Sequence, residues 1–193
     1  MKLLNITFLG LCIIGFNSIQ AQDDGKVGPT TFTAGWSTAT FAGDDDADLA
    51  YKSGFFAGVR KEVKIIPMLY FNTGLLYTQQ GTAVDDGVDD IKLDYLDIPI
   101  GLKFKLGPVF ATGGVTVNLK ISQDFGDIPF AKEPDIKSFD MGYSLGLGTK
   151  FLAFSLDLRW NNSFGDIVED TNTDGSFGNS YFLVGLGFSL HKN

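Results

Sequence analysis

The sequence predicts an all-β fold, an antiparallel up-and-down barrel of eight strands, and three observations carry that prediction. Apolar and polar residues alternate at period two over many short stretches, no long stretch repeats apolar residues at helical spacing, and the connections between the stretches are alternately tight and long. At 193 residues the chain has room for one such domain.

A separate unit precedes the barrel. Lys2 is followed by an apolar run over 3–16 and then by Asn17, Ser18, Ile19, Gln20, Ala21 and Gln22. A charged start, a hydrophobic middle and a small residue at the cut predict a secretory signal peptide over 1–22, cleaved near Ala21. The run is shorter than the roughly 20 apolar residues that anchor a helix in a bilayer. Residues 23–193 are then the barrel domain. Cys12 has Leu9 three residues before it, as in lipoprotein signals, but it follows Leu11 rather than a small residue and sits inside the apolar run, so lipidation is not expected. Without Cys12 the mature chain has no cysteine, which excludes disulfides, thiolate metal sites and cysteine nucleophiles.

Five strands are clear. Over 94–106, Leu96, Ile98, Ile100, Leu102, Phe104 and Leu106 share one face, opposite Tyr95, Asp97, Pro99, Gly101, Lys103 and Lys105. Val109, Ala111, Val115, Val117 and Leu119 oppose Thr112, Gly114, Thr116, Asn118 and Lys120 over 109–121. Over 138–149, Phe139, Met141, Tyr143, Leu145 and Leu147 alternate with Asp140, Gly142, Ser144, Gly146 and Gly148. Phe154, Leu156, Leu158 and Trp160 oppose Ser155, Asp157, Arg159 and Asn161 over 153–162. The last strand, 180–191, sets Phe182, Val184, Leu186, Phe188 and Leu190 against Tyr181, Gly185, Gly187 and Ser189. Three fainter strands over 31–41, 54–64 and 69–80 bring the total to eight, each near the roughly 9 to 11 residues that cross a bilayer at a tilt.

The connections 65–68, 106–108 and 150–152 are tight, whereas 42–53, 81–91, 123–137 and 164–179 are long. Short turns at one end, long loops at the other and an even strand count are the layout of an outer-membrane barrel with both termini in the periplasm. Sixteen of the 23 acidic residues fall in the four long connections, Asp44, Asp45, Asp46, Asp48, Asp85 and Asp86 among them. A membrane requires the sheet to close, because an open edge would leave amides unpaired in hydrocarbon. Without Lys2 the chain carries 14 basic against 23 acidic residues, a net charge of −9. Nucleic acid is therefore no partner, since binding it rests on neutralising phosphates with Lys and Arg; the partners expected are outer-membrane lipids, with surface partners reached through the long loops.

Three segments resemble the PorT-type outer-membrane β-barrel family common in Bacteroidota: Leu75-Leu76-Tyr77-Thr78-Gln79-Gln80-Gly81, Leu93-Asp94-Tyr95-Leu96-Asp97-Ile98-Pro99, and Phe139-Asp140-Met141-Gly142-Tyr143-Ser144-Leu145-Gly146-Leu147-Gly148. They run in that family's order across nearly the whole mature chain. The resemblance implies an eight-stranded barrel in the outer membrane of a Gram-negative bacterium and no catalytic residues. Its founding member is similar to a component of a protein-export pathway, which implies a secretion-accessory role.

The interior of an eight-stranded barrel is just wide enough for side chains to fill. Arg60, Glu62, Asp97, Lys103, Asp140, Asp157 and Arg159 are predicted to point inward and to pair there, because buried charges require partners. Asp170, Asn172 and Asp174, followed by Gly175, match the first half of a calcium-loop pattern, although Tyr181 stands where the closing glutamate would be. An acidic loop that matches by chance is the plainer reading, and no cofactor is expected. The sole histidine, His191, lies at the turn end of the last strand, away from the long loops, so acid–base or nucleophilic catalysis is not expected. Two alternatives stay open on sequence alone: a soluble lipocalin-like barrel with the aliphatic face turned inward around a small apolar ligand, and a narrow transport channel.

Overall fold

The computed structural model describes residues 27–43, 49–84, 91–124, 138–164 and 177–190. The proposed leader, the calcium-loop candidates Asp170, Asn172 and Asp174, His191, and all sixteen loop acids except Asp124 lie outside the described residues. Eight strands follow one another: β1 (Thr30–Gly43), β2 (Leu49–Ile66), β3 (Leu69–Val84), β4 (Ile91–Leu106), β5 (Val109–Asp124), β6 (Phe139–Phe151), β7 (Phe154–Ser163) and β8 (Phe177–Leu190). Each pairs antiparallel with its neighbour, and β1 closes on β8 from Thr30↔Leu190 to Gly43↔Phe177. The ring therefore has no free edge within the membrane-spanning part.

The strands are longer than expected, up to 18 residues in β2, and the extra residues lie mostly at the loop end. There β2 begins at Leu49 rather than 54, and β3 continues to Val84. As a result the segments 44–48 and 85–90 between strands are much shorter than the long loops expected at 42–53 and 81–91. The reason is physical: Ser53, Gln79 and Asp94 take the outward positions there, so the ladder continues after the apolar alternation has stopped. Period-two hydrophobicity marks only the part of a strand that faces lipid.

All three tight turns have two residues between paired strand ends: Pro67 and Met68, Gly107 and Pro108, Leu152 and Ala153. Gly107 supplies φ +60° at the first central position, as a II′ hairpin requires. Leu152 does the same at φ 55° and Met68 reaches φ 73° at the second position, each with a side chain that disfavours the left-handed region.

Alternation sends the two sets of side chains to opposite faces. Outward-facing Trp36, Leu147, Leu158 and Leu186 are 72, 66, 56 and 68% exposed, while Arg60, Glu62, Asp97, Lys103, Asp140, Asp157 and Arg159 are all buried. The lipocalin-like alternative required the reverse and is overturned: the charges fill the barrel and the aliphatic residues coat it. Each end of that coat carries aromatic rings in contact. Tyr143, Trp160 and Phe182 form a chain at 5.4 and 6.4 Å and Phe55 meets Tyr77 at 5.6 Å toward the loops, while Phe154 meets Phe188 at 5.4 Å toward the turns. Trp160 Nε1 donates to Ser180 Oγ at 3.1 Å, so the amphipathic ring keeps its polar edge satisfied where hydrocarbon ends.

The barrel lumen as candidate functional site

Antiparallel register stacks the inward residues in layers. Nearest the turns, Glu62 of β2 accepts from Lys103 Nζ at 2.7 Å and Lys105 Nζ at 2.5 Å, both from β4. Lys103 also sits 3.5 Å from the ring centre of Phe110, and Lys105 sits 3.9 Å from that of Tyr70, so each ammonium trades water for a carboxylate and an aromatic face. Lys150 Nζ donates to Ser189 Oγ at 3.0 Å, and Ser189 is buried against Thr31, 3.0 Å away.

One layer higher, Arg60 donates to Asp157 and to Thr33 Oγ1 at 3.1 Å, and Arg159 approaches the other oxygen of Asp157 at 3.9 Å. Two guanidiniums thus share one carboxylate. A cavity of about 10 Å³ beside Asn72, Thr112, Ser144 and Arg159 has room for about one water molecule.

Above that, β4, β5 and β6 bring Asp97, Asn118 and Asp140 into one register row. Tyr181 reaches across from β8; its hydroxyl donates to Asp97 Oδ2 at 3.1 Å and lies 3.3 Å from Asn118 Oδ1. Asn118 Nδ2 donates to Asp140 Oδ2 at 3.4 Å, and Ser163 donates to the same oxygen. Toward the loops the lumen turns apolar, with Ala39, Phe56, Tyr181 and Leu183 clustered and Leu76, Leu93 and Tyr95 buried as well. The Phe56 ring fits there because Gly185 has no side chain: a Cβ on Gly185 would stand 2.5 Å from the ring tip.

All seven charged residues expected inside are therefore inside, and five of them, Arg60, Glu62, Lys103, Asp157 and Arg159, form ion pairs. Asp97 and Asp140 have no Lys or Arg partner within 4 Å among the described residues. The apolar loop-side filling is a finding that alternation alone missed, because Phe56, Leu76, Leu93 and Leu183 occupy inward positions. Among the described residues no group of three or more His, Cys, Asp or Glu could hold a metal.

A closed sheet that is aliphatic outside, girdled by aromatics and packed with paired charges inside defines a membrane-spanning β-barrel. Comparison places it further: residues 20–169 match the model of the outer membrane protein β-barrel domain, and the chain belongs to that family. No curated protein sequence matches it. Three solved structures share the fold. The neisserial surface protein A has a TM-score of 0.57 and 16% identity, covering 85% of this chain and 99% of its own. OprG from Pseudomonas aeruginosa has a TM-score of 0.53 and 14% identity over 86% and 98%. The attachment invasion locus protein Ail of Yersinia pestis, solved with the heparin analogue sucrose octasulfate, has a TM-score of 0.52 and 15% identity over 84% and 99%. The fold is an eight-stranded outer-membrane barrel, as the sequence predicted.

Proposed function

We propose that the protein is a non-enzymatic surface or assembly protein of the outer membrane, whose barrel is an anchor and whose connecting segments at the loop end make its contacts. One observation carries this reading: among the described residues the inward side chains fill the lumen, by ion pairs near the turns and by Phe56, Tyr181 and Leu183 toward the loops, which speaks against a passage for solutes. Delivery by a signal peptide over 1–22 and a periplasmic position for both termini belong to the same reading, since the tight turns lie on the side of the barrel where β1 begins at Thr30 and β8 ends at Leu190.

The partners are reached through acid-rich segments. Ail binds a sulfated sugar analogue, but the acids between these strands repel sulfate, so cationic surfaces or bridged divalent ions suit this chain better. The resemblance of the Tyr95-Leu96-Asp97-Ile98-Pro99 segment to PorT-type barrels, a group common in Bacteroidota, favours a more specific version, an accessory role in secretion across the outer membrane. The test combines two measurements. The refolded barrel in planar bilayers is expected to show no steady conductance, and a strain lacking the protein is expected to lose surface display or export of a cargo that returns with the wild type but not with a variant shortened over 165–176. Ohmic conductance would restore the channel, and normal surface and export behaviour in the deletion strain would sink the proposal.

A further inference from the structure

We propose that the loop-side lumen holds a divalent, oxygen-seeking cation, with calcium as the probe, between Asp97 and Asp140. Both carboxylates are buried, at 1 and 9% exposure, and face each other across Asn118 in one register row. The nearest guanidinium, that of Arg159, is engaged with Asp157 in the layer below. Two buried carboxylates without a cation in contact are costly, whereas the turn-side acids Glu62 and Asp157 each meet two cations.

One further oxygen points to a ligand independently of the acids. The Tyr95 hydroxyl is buried without a hydrogen-bond partner among the described residues, although its side chain is only 1% exposed. Tyr95 and Thr78 are register partners, and Tyr95 is two residues from Asp97 on the same inward face of β4. Tyr181 has one hydroxyl proton for two acceptors, so when it serves Asp97 Oδ2 the Asn118 Oδ1 lacks a donor. Carboxylate, amide and hydroxyl oxygens from two adjacent rows are the donor set of calcium, which takes six to eight oxygens in flexible geometry, and two carboxylates would neutralise its charge.

The experiment follows the temperature at which the refolded mature barrel in detergent loses its fast-migrating band on a gel, in calcium against chelator. Calcium well above its Kd is expected to raise that midpoint by about 3 °C or more in the wild type. The same rise is expected in the paired loop variant Asp170→Asn/Asp174→Asn, which separates the lumen from acids between strands. Asp97→Asn is expected to abolish the rise and, in chelator, to be at least as stable as the wild type, because a buried unpaired charge has gone. Should Asp97→Asn fail to fold, Tyr95→Phe decides: it keeps the packing, removes one ligand oxygen and is expected to shift the calcium dependence to at least tenfold higher concentration. A wild-type midpoint indifferent to calcium overturns the proposal, as does a rise that survives both lumen variants or disappears in the loop variant.

Discussion

The two halves of the lumen differ in what fills them, although one continuous aliphatic coat surrounds both. Toward the turns, Glu62, Lys103, Lys105, Arg60, Asp157 and Arg159 form a stack in which each charge meets an opposite one. Toward the loops, Phe56, Leu76, Leu93, Tyr181 and Leu183 pack as in a soluble core, over a row of two acids. The difference teaches that the outer face answers to the bilayer and must be uniform, whereas the inner face answers only to its own neighbours. One half is held by electrostatic pairing, and the other by shape.

Breaking the turn-side half should cost most. Asp157→Ala strands two guanidiniums, and its urea unfolding is expected to show a loss of about 4 kcal/mol. In the loop-side half, Phe56→Ala leaves a void against Gly185 and Gly35 and is expected to cost about 3 kcal/mol by the same assay, without a charge effect. The outer coat gives the reference: Leu158→Arg, one residue from the buried Arg159, should cost about 2–4 kcal/mol because the same guanidinium now faces lipid. Gly185→Ala pushes a methyl group into the Phe56 ring and is expected to cost about 2 kcal/mol, much of it recovered in a double variant with Phe56→Leu; additive losses would show that the ring does not use that space. The smallest effect has the opposite sign, since Leu152→Gly at φ 55° should gain about 0.5–1 kcal/mol in thermal midpoint measurements.

This division also explains what the sequence disclosed. β4 to β8 were legible because lipid imposes an apolar residue at nearly every second position. β1 to β3 were fainter because the code is interrupted from both sides: Phe56 and Leu76 point inward, while Ala34, Lys61, Thr73 and Gln79 take outward positions. The turn-side ion pairs could be expected as a class, since charged residues on the inward face need partners, but not as particular pairs. Arg60 and Asp157 are 97 residues apart, and only the closed register brings them together. The row of Asp97, Asn118 and Asp140 was hidden for the same reason, each member coming from a different strand.

Closure of β1 on β8 has a consequence for the life of the chain before it reaches its membrane. Thr30 finds its partner only when Leu190 exists, so the ring cannot close before β8 has been made. Until then the sheet would have two raw edges and an aliphatic surface with nothing to cover it, the state most prone to aggregate. A chain that stays unfolded until β8 is complete presents neither of these. Loss of even the last few residues of β8 would be felt first as failed delivery, well before any weakening of the finished barrel could be measured.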